Sequence, residues 1–248
     1  MGGGYGAAVT GRDEVMAALH ASSGRFIDLV ASLDPEHGAR PVPGLVWNVG
    51  ETVAHVLTVV RRGYADRRRS PTASATAGLN QQVLDETPDR DLPVLVALLR
   101  EDVHTALDVV FPKIPEDRTF DFHGGMRTTM TPALRIVLGE FVVHGYDVAS
   151  AVDRPWTITD EEARLLVPTD LLSGWVRPDA AEASYELRLG DATPVRLDVG
   201  PGRLSVAEGT GGTPITIEPS AFVLAFYGRR IPPDSDALIG LLSNFIPS

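Results

Sequence analysis

The chain contains no cysteine. That excludes a disulfide scaffold and any thiolate-ligated metal, so a metal ion here must be held by His, Asp or Glu. It has no uncharged apolar run of about eighteen residues, the length a membrane-spanning helix needs. Its opening, MGGGYGAAVTGRDEV, lacks the basic start and apolar stretch of a secretory signal. A cytoplasmic protein with no membrane partner is therefore expected. Lysine is almost missing too: Lys113 stands alone among 22 basic residues. Those 22 face 33 acidic residues, and a net charge of −11 argues against nucleic acid as a partner, because phosphate binding needs a basic surface. What remains is a chain that is 44% hydrophobic over 248 residues, enough for one large core or two modest ones.

Helical patterning dominates the first 155 residues. One stretch runs roughly from Asp13 to Leu33. A second opens at Asn48, which forms a variant capping box with Glu51, and continues to about Arg69. A third covers roughly Asp91 to Phe111. A fourth starts from Thr131 as N-cap with Pro132 in its first turn and reaches about Val152. The connections Asp34–Trp47, Ser70–Leu79 and Pro112–Met130 are long and turn-rich, suited to roofing a site at one end of a bundle. After Trp156 the pattern changes. A helix near Asp160–Leu172 precedes strands at Tyr185–Leu189, Val195–Val199, Arg203–Val206 and Ile215–Ile217, with Gly200-Pro201-Gly202 as a turn, then helices at Pro219–Tyr227 and Asp236–Phe245. The expected architecture is an all-α four-helix bundle over residues 1–155 followed by a small α+β domain over residues 156–248.

The most informative segment is GEFVVHGYDVA, Gly139 to Ala149. It sets Glu140, His144 and Asp147 at i, i+4 and i+7, on one stripe of a helix that is otherwise apolar nearly all round. A buried carboxylate beside an imidazole needs a partner, and a divalent metal is one. Glu and His four apart also occur as an ordinary helix-surface pair, so the spacing alone does not choose. His55, in GETVAHVLTVV, is either a satisfied core histidine or a third ligand that leaves a fourth position open, as in catalytic sites. Glu51 and Arg62 share its stripe. Glu51 is a candidate for orienting the His55 ring, although capping is its simpler role. Asp147 reads as a fourth ligand, a general base, a partner for a polar substrate group, or a plain satisfied residue. The run Arg67 to Arg69 fits a helix C-terminus that attracts cations, and Arg62 is left open. His123, in FHGGM, either lines a site mouth or sits in solvent. Arg229, just past Gly228 at a helix end, offers a bidentate fork for a carboxylate, or is a surface cation.

Three stretches resemble a known family. GLVWNVGETVAHVL resembles the Trp-(Ser/Thr)-Val-x-(Asp/Glu)-Leu-x-x-His opening of the mycothiol-dependent maleylpyruvate isomerase family, LGEFVVHGYDVASAVDRPWTI its Gly-Glu-x-x-x-His-Gly-(Trp/Tyr)-Asp motif, and PSAFVLAFYGRR its second-domain Gly-Arg signature. Asn48 stands where Ser or Thr is commoner and Tyr146 where Trp is commoner. The resemblance implies a DinB-like metal-binding bundle followed by a domain similar to sterol carrier protein 2. It implies His55, Glu140 and His144 as ligands of Zn²⁺ or another divalent metal. It also implies Asp147 and Arg229 as essential groups, with Arg230 as a neighbour able to take the same part. By position rather than by motif, Arg62 and His123, together with Arg230, are candidates for contacting the co-substrate. Mycothiol would be that co-substrate and a small-molecule electrophile the other partner, with the protein acting as cis–trans isomerase or thiol S-transferase. Arg229 would hold an anionic group of the substrate. A hydrolase using metal-bound water and a non-catalytic small-molecule or lipid-binding module are the other readings, and a monomer or homodimer is expected.

Overall fold

The computed structural model describes residues 11–232 and 235–246, so most of the N-terminal stretch read above for a secretory signal lies outside the described residues. Four helices form the bundle: α1 (Arg12–Ala31), α2 (Val49–Arg62), a helix at Leu92–His104 and a long one at Met130–Ala151. The long helix packs along α1 and α2, and the Leu92–His104 helix closes the other side. Between α2 and that closing helix the chain forms α3 (Thr76–Asp85), so the closing helix is α4 and the long one α5. Leu19, Leu57, Leu95, Leu99, Leu134 and Leu138 are fully buried in the core, each contributing about 1.5–3 kcal/mol relative to exposure. Phe26 and Phe141 meet edge to face at 5.7 Å.

The local chemistry explains where the helices start and stop. Asn48 accepts from the Glu51 amide while the Asn48 amide donates to Glu51, each at 2.9 Å, and this reciprocal box opens α2. The helix ends at Gly63, not at Arg69. Only Arg61 and Arg62 occupy its last turn. Arg68 lies beyond it, gripped by Asp66 and Glu86, and Arg69 donates to the carbonyls of Arg62, Asp66 and Arg68. The α5 N-cap is Thr129 rather than Thr131, whose amide donates to Glu116 at 3.2 Å. The third stretch is α-helical only to His104 and then passes through a π turn, Thr105–Val110. The connections expected to be irregular hold α3 and a short hairpin, β1 (Phe120–Asp121) with β2 (Arg127–Thr128).

Beyond α5, α6 (Asp160–Leu165) leads into a four-stranded sheet of β3 (Ala183–Leu189), β4 (Val195–Gly200), β5 (Arg203–Glu208) and β6 (Thr213–Ile217), followed by α7 (Pro219–Phe226) and α8 (Asp236–Leu242). The strand order is β5-β4-β3-β6, antiparallel except for the parallel β3–β6 pair. The helix expected to run to Leu172 stops at Leu165, with a 3₁₀ stretch at Asp170–Trp175. The mixed helix-and-sheet class is the one expected. Among the described residues there are two apolar cores, one within the bundle and one between the sheet and α7 and α8. Ala163, Leu165 and Val223 join the bundle core from beyond residue 155.

Two glycines let the second half of the chain approach α5 closely. A Cβ on Gly145 would come within 2.1 Å of the Trp156 ring, and one on Gly139 within 2.5 Å of the Tyr227 hydroxyl oxygen. Trp156 is further tied down by donating its indole N–H to the Val142 carbonyl at 2.9 Å. The site-bearing helix is thus clasped on its far faces by residues from outside the bundle.

Candidate metal centre

The stripe on α5 faces α2. His55 Nε2 lies 3.1 Å from Glu140 Oε2, and His144 Nε2 lies 3.3 Å from the same oxygen. The two imidazole rings stand nearly perpendicular with centroids 5.1 Å apart. His55, Glu140 and His144 each offer a donor atom within 4.8 Å of the others, the spread over which three ligands can share one ion. His55 and His144 are buried, while the Glu140 side chain keeps 23% exposure, so Glu140 is the member of the cluster nearest solvent.

Behind this cluster runs a second line of contacts. His144 Nδ1 lies 2.9 Å from Asp147 Oδ2 and donates its N–H there, which aims Nε2 at Glu140. Asp147, 1% exposed, takes a bidentate grip from Arg229, Nε to Oδ1 at 3.0 Å and Nη2 to Oδ2 at 2.8 Å. Arg229 Nη1 donates to the Tyr227 carbonyl at 2.6 Å. The residue just after α7 therefore supports the histidine on α5. Arg230 is exposed and makes no comparable contact with Asp147. His55 Nδ1 is buried without a hydrogen-bond partner, and Glu51, engaged with the Asn48 amide, does not orient it. The ring is held instead by Trp47, whose centroid is 4.7 Å away.

The electrostatics follow from this geometry. Burial opposes charge on Glu140, but the bonds from His144 and His55 outweigh it and hold the carboxyl well below its usual range. Burial also opposes charge on the His144 ring. Two carboxylates on its two nitrogens overcome that and push it up to about 9. For His55 burial wins over Glu140, and its pKa falls. Asp147 is lowered, because His144 and Arg229 outweigh its burial. Two imidazoles turned onto one carboxylate oxygen, one of them fixed by Asp147, are a donor set of the type divalent zinc, nickel or iron accepts. The residues fit a metal.

Residues 19–149 match the family described as the mycothiol maleylpyruvate isomerase N-terminal domain. The chain belongs to this family. Two solved structures share its fold: a crystal structure of the mycothiol-dependent maleylpyruvate isomerase, at 14% identity, and that of a histidine-to-alanine mutant of the same enzyme, at 13%. Each covers 88% of this chain and 89% of its own, with a TM-score of 0.57. At such identities the likeness extends to the fold. No curated protein matches the chain in sequence. Among the described residues no helix is long and apolar enough to cross a membrane.

A second polar group borders the centre. Arg62, 5% exposed, donates from Nη1 to Asn80 Oδ1 at 2.7 Å, and the same nitrogen lies 3.3 Å from His123 Nε2. His123 is half-buried rather than free in solvent. Its Nδ1 accepts the Ser70 amide N–H at 3.1 Å. Neither Asn80 nor Ser70 was singled out from the sequence. The only signal for Asn80 is the helix-favouring run LNQQVLD, which carries α3. Burial, then the charges of Arg62 and Arg69, bring the His123 pKa down to about 4, against 6.5 unperturbed.

A depressed histidine pKa means that the unfolded chain takes up the proton first as pH falls. The folded state thus loses stability from about pH 6.5 down to about pH 4. His123→Asn removes this group from the balance. We expect urea unfolding to show a variant whose stability falls less than wild type between pH 7 and pH 4.5. Equal losses in both proteins would mean that His123 titrates as it does in the unfolded chain.

Proposed function

We propose that this protein binds a divalent metal, zinc first among the candidates, through His55, Glu140 and His144. Mycothiol is its thiol co-substrate, and its reaction is cis–trans isomerisation of a maleylpyruvate-type electrophile or transfer of the thiol to one. The observation that carries this reading is the meeting of His55 on α2 with Glu140 and His144 on α5 around one oxygen, in a chain whose family is defined by this bundle. A divalent metal, when bound, lowers the pKa of a coordinated thiol so that the nucleophile forms at neutral pH. The chain has no cysteine, so the thiol must arrive on a small molecule.

The protein's own residues prepare the site. Asp147 holds the proton on His144 Nδ1 and so presents Nε2 as a lone-pair donor. Arg229 holds Asp147 ionised and in place. In this structure the Arg229 fork is spent on Asp147, so its proposed part is positioning rather than gripping substrate. Trp47 packs against the His55 ring and limits its freedom to turn. The partly exposed edge at Glu140 is where reactants enter.

The test is turnover of maleylpyruvate by zinc-loaded protein with and without mycothiol. Isomerisation that needs both is the expected result. Hydrolysis of substrate by the zinc-loaded protein without thiol would replace this reading with water chemistry.

A further inference from the structure

Arg62 is a buried cation whose donors are not all used. Nε and Nη2, the edge with which a guanidinium grips a carboxylate through two parallel bonds, have no hydrogen-bond partner. Leaving such donors buried and unpaired costs free energy, and more for a charged group than for a neutral one. Its two acidic neighbours are taken: Glu140 lies between the imidazoles and Asp66 is gripped by Arg68.

A second observation comes from His123. A neutral imidazole has one acceptor nitrogen. Because Nδ1 accepts the Ser70 amide, the proton sits on Nε2. Nε2 is the atom that faces Arg62 Nη1 at 3.3 Å, so two N–H donors meet there with no acceptor between them. The burial and neighbouring cations that lower the His123 pKa keep the ring neutral near pH 7. A metal on Glu140 would engage the one acidic group that faces this corner from α5. The Nε–Nη2 edge of Arg62 is then a buried cationic fork with no anion facing it, while His123 meets the guanidinium at Nη1, on its other side.

We infer that the Nε–Nη2 edge of Arg62 forms a carboxylate-binding subsite beside the metal centre, with Asn80 and His123 fixing the guanidinium from its Nη1 side, and that it holds a carboxylate of the electrophilic substrate. This rests on the reading of the centre as a metal–thiol site and names the residue that would hold the electrophile's carboxylate there. Arg62 lies two turns from His55 on the same face of α2, and Glu140 is among the charges that act on its guanidinium, so the fork borders the metal centre. Asn80 orients the guanidinium by accepting from Nη1.

Maleate serves as the probe, titrated calorimetrically into zinc-loaded protein, with zinc content and mycothiol-induced thermal stabilisation measured on every variant. In Arg62→Gln the affinity for maleate is expected to fall at least tenfold while zinc content and the mycothiol response stay at wild-type levels. Arg62→Lys, which keeps the charge and loses the fork, is expected to fall between the two. Maleate bound equally well by wild type and Arg62→Gln overturns the subsite. Loss of zinc or of the mycothiol response in wild type overturns the metal–thiol reading instead. Should Arg62→Gln fail to fold, wild-type crystals soaked in maleate decide. A carboxylate on Nε and Nη2 of Arg62 supports the subsite, and maleate on the metal or on Arg229 alone overturns it.

Discussion

Glu140→Gln is expected to strip the protein of bound metal. Glu140 is the acceptor on which both histidines converge, and it supplies the only negative charge in the proposed ligand set. Glutamine keeps the shape and removes the charge, so the pull on a divalent ion is lost while packing against α2 is retained. Changing a residue that merely supports a ligand typically costs 10- to 100-fold in metal affinity, and a ligand itself should cost at least the upper end of that range. Elemental analysis after dialysis against metal-free buffer is the check: wild type near one zinc per chain, Glu140→Gln below a tenth. Full occupancy in the variant would remove Glu140 from the ligand set. A nearly unchanged unfolding midpoint for the two metal-free proteins would show that the loss is local.

How much of this could be read from the residues depends on whether the controlling interaction is local. The Asn48–Glu51 box is a contact between residues three apart, and α2 begins where it says. The stripe of Glu140, His144 and Asp147 follows from helical period alone. Helix ends decided elsewhere were misread. The arginines 67–69 suit a helix terminus, yet α2 ends at Arg62, well short of the expected Arg69, and Arg68 and Arg69 spend their donors on Asp66, Glu86 and loop carbonyls. α3 leaves little signal in the sequence because it is short and buries only Val83 and Leu84, too few for a hydrophobic period.

The site divides the same way. No spacing rule brings His55 to Glu140 across 85 residues; that juxtaposition was expected from the family motifs. The Arg62–Asn80–His123 corner joins three separate segments and carries no motif at all. A fork such as Arg229's reads in sequence as free for a substrate, because nothing local reveals that a carboxylate 82 residues earlier already fills it.

That carboxylate makes Arg229→Ala the most damaging single change expected for the fold. Asp147 is almost wholly buried and ionised, held by His144 on one side and Arg229 on the other. Removing one partner of a buried pair leaves the other charge desolvated and typically costs about 3–5 kcal/mol. Here His144 retains part of the compensation, so the low end, about 3 kcal/mol, is expected. For a chain of this length that corresponds to roughly 6–12 °C in melting temperature. The damage should also reach the metal. With Arg229 gone, the Asp147 carboxyl is freer to take a proton and to let the His144 ring swing, and zinc affinity should drop about tenfold. Arg229→Lys separates the two effects: an ammonium restores the charge and much of the stability, but it cannot hold both carboxylate oxygens in one plane. Chemical unfolding together with competitive zinc titration reads both quantities. Wild-type zinc affinity in Arg229→Ala would show that the bond between α5 and the segment after α7 stabilises the fold without tuning the centre.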